Sequence, residues 1–356
     1  MKKAFSLVLA CVMVIAMSVT TVARPTSDDL PFQIPASYNF SFEMNLGLDV
    51  QAPELLEDPE VAAVLAMLRN VVVTADGTVI ADLDTLLAGH LHMEASVRAG
   101  FFYIPFTLWM DYDLTNPEAP VYAIIVELPE MLQAMIALED PDLAKPFWVL
   151  DYAPLFAMED MSGLFNVMVD SDMNAQMFSQ IMGLMPEAEY LGDNNYRMVF
   201  NDESFTNFFI DIMQVAMEPL FDNSLMWDLV NAVEDIDEEE FEELLAELHE
   251  EINPFLEMVF ELSRNVTFIS QDWVTYITLD ENGFVAQETS QAQFIFDLAE
   301  WTQALGVDPN FTGLPEVVIT FDFDYSAIIS NINNVTPVAP PVLTPENSVD
   351  LIEMLF

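Results

Sequence analysis

The sequence predicts an α+β fold: a curved antiparallel half-barrel sheet built from N- and C-terminal strands and covered by a central helical segment. Three observations predict it. Strand-period alternation runs through residues 38–128 and returns over residues 265–325, apolar residues recur at helical spacing over residues 129–264, and neither β region carries enough apolar cover of its own. One shared sheet buries both sets of one-faced strands against the same helices. Residues 24–335 therefore read as a single domain, and residues 336–356 as an extended Pro-rich tail. No repeat at solenoid periods is present.

Residues 1–23 read as a secretory signal peptide, with Lys2 and Lys3 as the charged start, Ala4 to Met17 as the apolar stretch and Thr21-Val22-Ala23 as the cleavage site. The protein is thus expected to be secreted, extracellular or held at the cell envelope. The single cysteine, Cys11, lies inside that segment, so the mature chain forms no disulfide and depends on packing. Val8-Leu9-Ala10-Cys11 resembles a lipobox, but cleavage there would leave Val12 to Met17 as an apolar overhang.

From Tyr38 to Val50 every even position is apolar and every odd one polar or Gly, which is the pattern of a strand with one buried face. The same alternation marks strands at His90 to Arg98 and Phe102 to Leu114, and Val121 to Leu128 is apolar on both faces. Val71 to Thr74 and Thr78 to Leu83 flank Ala75-Asp76-Gly77, which is expected to be a hairpin turn. In the middle, Phe241, Leu245, Leu248, Ile252, Phe255, Val259 and Leu262 step by four and three. Asn253-Pro254 interrupts that stripe, so two helices are expected, with Asn253 as N-cap and Pro254 in the first turn. Further helices are expected at Ser204 to Leu220 and Ser224 to Val233, and a strand at Tyr196 to Phe200. Trp273 to Leu279 and Phe284 to Phe296 alternate around the turn Asp280-Glu281-Asn282-Gly283, and Val317 to Tyr325 is the last expected strand. Ser348 to Phe356 has the composition for a short helix.

The chain has 356 residues, with 60 Asp and Glu against 8 Lys and Arg, 53% hydrophobic residues and a mean hydropathy of +0.31. High hydrophobicity excludes intrinsic disorder. The missing cations exclude a nucleic-acid binder, which must neutralise phosphates. Loss of the signal peptide removes two lysines and no acids, so the net charge moves from −52 to −54. No other stretch of the mature chain is long and uncharged enough to span a membrane, and such a polyanion is repelled from anionic surfaces within a Debye length of about 8 Å.

His90 and His92 lie two apart on one strand and share a face, as two metal ligands would. No third ligand is set by spacing, so they read as a polar strand face, His249 reads as a solvated helix residue, and no metal site is expected. The 19 methionines of the mature chain fall mostly on apolar faces, as core or cavity lining. Glu234 to Glu251 carries 11 acids in 18 residues and reads as a solvated helix face that attracts divalent cations weakly, without a calcium-loop motif. No Gly-x-Ser-x-Gly elbow, His-Glu-x-x-His helix, phosphate-binding Gly-rich loop or cysteine nucleophile occurs. No cofactor and no enzymatic activity are expected.

The order of elements resembles the LolA/LppX-like group of bacterial envelope proteins. The resemblance is carried by Tyr38-Asn39-Phe40-Ser41-Phe42-Glu43-Met44, by Pro146-Phe147-Trp148-Val149-Leu150-Asp151, and by Tyr276-Ile277-Thr278-Leu279-Asp280 with Gly283-Phe284-Val285. Val318-Ile319-Thr320-Phe321-Asp322-Phe323-Asp324-Tyr325, Asn333-Asn334 and Pro340-Pro341 extend it. The signal peptide and the ending Pro345-Glu346-Asn347-Ser348-Val349-Asp350-Leu351 also resemble secreted proteins of Gram-positive anaerobes. The resemblance implies a carrier that holds a lipid or acyl chain between sheet and helices. The lining of that cavity would be the inward residues Phe40, Phe42, Met44, Phe106, Leu108, Met110, Phe294 and Phe296. The alternative is an envelope or extracellular structural protein in which the same side chains pack on the helices with no ligand.

Overall fold

One-faced strands need a pairing partner along each edge, and here they find it in a single sheet. The computed structural model describes residues 35–52, 56–82, 87–116, 119–138, 140–156, 180, 183–217, 238–306 and 317–352. Its strands are β1 (Ser37–Gln51), β2 (Val71–Ala81), β3 (Ala88–Ala99), β4 (Phe102–Asp113), β5 (Val121–Glu127), β6 (Phe147–Asp151), β7 (Glu189–Gly192), β8 (Asn195–Phe200), β9 (Ile269–Leu279), β10 (Val285–Asp297), β11 (Val318–Ser330) and β12 (Ser348–Asp350). Its helices are α1 (Pro59–Leu68), α2 (Glu130–Ala137), α3 (Ala153–Phe156), α4 (Asp202–Met217), α5 (Glu238–Arg264) and α6 (Leu298–Ala304). The fold is α+β.

All these strands lie in one unclosed sheet, in the order β12-β6-β5-β4-β3-β2-β1-β11-β10-β9-β8-β7. Two meanders, β1 to β6 and β7 to β11, join where β1 pairs antiparallel with β11 over Asn39↔Ser330 to Gln51↔Val318. N- and C-terminal strands therefore share the sheet. The sequence predicts a purely antiparallel sheet, but β12 runs parallel to β6, so the sheet is mixed. A parallel pair needs a crossover, and the tail after β11 supplies it by returning to the far edge.

The alternation sets the faces. Tyr38, Phe40, Phe42 and Met44 of β1 are buried together with Val73, Leu91, Met93, Phe106, Leu108, Ile277 and Ile329 in the main core. Each such side chain, fully buried, stabilises the fold by about 1.5–3 kcal/mol. The opposite face is polar over β1 to β3 and turns apolar near the β6 edge, where Trp109, Ile125 and Val149 form a smaller core with Phe147 and Leu343. Leu65 of α1 packs with Leu48, Val50 and Ile319 in a third cluster.

Four expectations change. Ala75-Asp76-Gly77 is no turn: β2 is continuous, with Ala75 opposite Phe42 and Gly77 opposite Phe40. The glycine serves close approach, since a Cβ there would come 2.3 Å from the His92 carbonyl oxygen and 2.6 Å from the Phe40 ring. Asn253 is no N-cap either, because α5 runs through Pro254 as one helix of 27 residues. Pro254 removes one backbone bond, while Phe241, Leu245 and Leu256 stay buried on either side of it. The third change concerns Ser348 to Asp350, which form a strand where a helix is expected. Lastly, the segment 129–264 contains β6 and β7 besides its helices and the expected strand at Tyr196 to Phe200, which is β8. The expected helix at Ser224 to Val233 and the signal peptide with Cys11 lie outside the described residues.

Candidate functional site: the apolar sheet face

The eight residues predicted to line a cavity share one face of the sheet and fall into two groups. Phe40, Phe42 and Met44 of β1 and Phe106 and Leu108 of β4 are buried in the main core, with Met110 half-buried against it. Phe40 stacks on Phe42 at 6.1 Å, and Phe42 meets Tyr325 of β11 at 5.9 Å. Phe294 and Phe296 belong to a separate aromatic cluster. Phe294 lies 5.6 Å from Phe205 of α4 and 6.1 Å from Trp273, and Phe296 lies 5.3 Å from Trp301 of α6. The helix α4 is fixed there by its first residue: the Asp202 carboxylate accepts from the backbone N–H groups of Phe268 and Ile269 at 2.8 and 2.9 Å.

Three side chains on this face carry polar ends: Tyr38 and Tyr325, which the alternation places on the apolar face, and Glu288, which it does not single out. Glu288 of β10 stands opposite Ala327 of β11 and Ile277 of β9, both buried and apolar. In the same transverse row, Ala327 stands opposite Phe42. Tyr325 lies one step along β11, and Tyr38 lies on β1. Burial pushes the Glu288 carboxyl above the usual carboxylate range. It pushes the Tyr38 phenol up as well, and the Tyr325 phenol is raised by burial first and then by the charges of Glu288 and Tyr38. Those charge effects place Tyr325 within electrostatic reach of Glu288 on one side and of Tyr38 on the other.

The next row is satisfied. Trp273 Nε1 donates to Ser290 Oγ at 2.6 Å, and Ser290 Oγ and Thr275 Oγ1 share a hydrogen bond of 2.9 Å. Among the described residues, no hydrogen bond or ion pair reaches the side-chain oxygens of Glu288, Tyr38 or Tyr325. A depression of about 450 Å³ opens at the β9–β10 turn, walled by Asp280, Phe284, Asn331 and Ile329, the last lying two residues beyond Ala327.

His90 and His92 share the opposite face, as their spacing predicts. His90 Nδ1 lies 2.5 Å from Asp111 Oδ1, with the imidazole only 10% exposed. His92 tilts against the Trp109 ring at 5.4 Å, and burial lowers its pKa, keeping it neutral near pH 7. Asn39 Oδ1, Thr78 Oγ1, His90 Nε2 and Trp109 Nε1 are buried without partners on this face. Among the described residues no three His, Cys, Asp or Glu side chains converge as a metal site would require.

The tail crosses this side of the sheet. Asn333 N–H donates to the Ser37 carbonyl at the β1 end, and Phe147 N–H of β6 donates to the Asn347 carbonyl. Between them Leu343 packs with Phe147 against the Trp109 cluster. Among the described residues, no helix is long and apolar enough to cross a membrane. No protein-family model, curated protein or solved structure matches the chain.

Proposed function

We propose that this chain is a secreted, non-enzymatic binder of a hydrophobic ligand, a lipid or acyl chain. The ligand would lie between the apolar face of a curved half-barrel sheet and a helical cover, as in the LolA/LppX-like group that the sequence resembles. The supporting observation is the composition of that face: rows of Phe, Met, Leu and Ala interrupted by a few polar groups that make no hydrogen bond among the described residues. Ligand sites are built this way, mostly apolar with a few placed polar groups. A second reading, a structural protein of the envelope or extracellular space, draws on the tight burial of Phe40, Phe42, Met44 and Leu108, each at most 7% exposed.

Native mass spectrometry of protein purified from its own host separates the two readings. The binder reading expects a bound mass in the range of a lipid or fatty acid, and displacement of an apolar dye by added fatty acid or fatty amine. A clean mass of the mature chain, with no displacement by either, leaves the structural reading.

A further inference from the structure

We propose that the ligand of this face is a cationic amphiphile, an apolar chain ending in an amine, and that Glu288 receives the ammonium head. The proposal rests on the hydrophobic-binder reading above and narrows it to one chemical class. Three observations lead to it. Glu288 occupies an inward position between Ala327 and Ile277. No cation of the chain pairs with it among the described residues. Tyr325 brings a phenol oxygen, with no hydrogen bond among the described residues, into its electrostatic reach.

A buried carboxylate without a counter-charge is costly, and the cost falls when a cation arrives with hydrogen-bond donors. An ammonium offers three N–H groups, enough for the two carboxylate oxygens and the Tyr325 phenol oxygen. The ring faces of Phe42 and Tyr325 alongside also favour a positive head. A carboxylate or phosphate head would instead meet Glu288 inside a chain of net charge −52 before processing. The direction of the chain follows from the register. Ala327 separates Glu288 from Phe42 in the row, so methylenes running from the head toward β1 would cross only its single methyl.

When Glu288 is protonated before binding, capture is balanced as a carboxylic acid and an ammonium giving a carboxylate–ammonium pair and one proton released to solvent. The titratable groups on its face are Tyr325 of β11, Tyr38 of β1 and, across β9, Tyr196 of β8, and burial keeps the Tyr325 and Tyr38 phenols protonated near neutral pH.

The test uses the mature chain and three probes of equal chain length below their micelle concentrations: decylamine, decanol and decanoate. Calorimetry is expected to show decylamine binding about tenfold or more tighter than decanol, as a desolvated charge pair predicts, with decanoate weakest. At a salt concentration that screens the acidic surface, the advantage of decylamine over decanol should be lost in E288Q. Attraction to the acidic surface survives in E288Q and fades with salt, so the variant separates the two. In the wild type at mildly acid pH, decylamine but not decanol should release a proton, seen as a dependence on buffer ionisation enthalpy, a readout independent of any variant. An amine preference that persists in E288Q, or tightest binding by decanoate, overturns the proposal and keeps the binder reading. Failure of all three probes overturns both.

Discussion

Glu288 costs the fold stability in a way that pH reveals. Its folded pKa lies above the unfolded value because burial disfavours the charged form. Between the two pKa values the folded state holds more protons than the unfolded state, so stability falls as pH rises through that window. A neutral amide of the same shape removes the penalty. E288Q is therefore expected to melt with the wild type near pH 4 and above it at pH 7, by scanning calorimetry in matched ionic strength. Parallel curves across that range would show a carboxyl that water already solvates. The position was legible in principle, since Glu288, Ser290, Ala292, Phe294 and Phe296 share parity, and a Glu among them is an acid on an apolar face. The role of Gly77 was not legible in the same way: a Gly between strand residues signals a turn or a close approach equally, and the Phe40 ring decides.

At the scale of elements, the tail is held to the far edge by Lys145, whose Nζ donates to the Pro345 carbonyl at 2.6 Å and the Ser348 carbonyl at 3.0 Å. Hydrogen bonds from a charged donor are worth about 1.5–3 kcal/mol when shielded and less when exposed as here. Lys145→Met is expected to loosen β12 by about 1–2 kcal/mol on that scale. Hydrogen exchange should quicken by about tenfold at Phe147 and Leu351, whose N–H groups bond to Asn347 and Val149, while β9 to β11 keep their protection. Uniform acceleration across the sheet would mean that tail and sheet open together. Most strands were legible because period-2 alternation and burial of one face are the same fact, as β1, β3 and β4 show. Less of the helical region was. Pro254 reads as a boundary, yet one lost backbone bond weighs little against apolar residues continuing on both sides. The three-residue strand β12 has no periodicity to read, because its partner β6 lies some 200 residues away in sequence.

At the scale of the molecule, charge dominates. The chain carries 60 Asp and Glu against 8 Lys and Arg, and only Arg69, Arg98, Lys145, Arg197 and Arg264 of these cations lie among the described residues. Self-repulsion of that size destabilises any compact state. Little in the described structure offsets it: Arg69 with Asp49 and Arg197 with Glu189 are exposed pairs at 3.6 Å, a kind worth at most about 1 kcal/mol. Repulsion is densest along α5, where Glu238/Glu242, Glu239/Glu243, Glu243/Glu247 and Glu247/Glu251 are like-charged i, i+4 pairs. Each pair costs a few tenths of a kcal/mol, and screening recovers it. The melting temperature should therefore rise by roughly 2–6 °C between low and physiological ionic strength, on the usual conversion of about 1–2 kcal/mol. Helicity measured by circular dichroism should rise alongside it. Ca²⁺ and Mg²⁺ should add a smooth further gain of similar size for both ions, because condensation onto a field does not distinguish them as a built site does. A melting temperature indifferent to NaCl would show the carboxylates already spaced well enough by the fold. Saturation at one equivalent of Ca²⁺ with no response to Mg²⁺ would locate a specific site and replace the screening account.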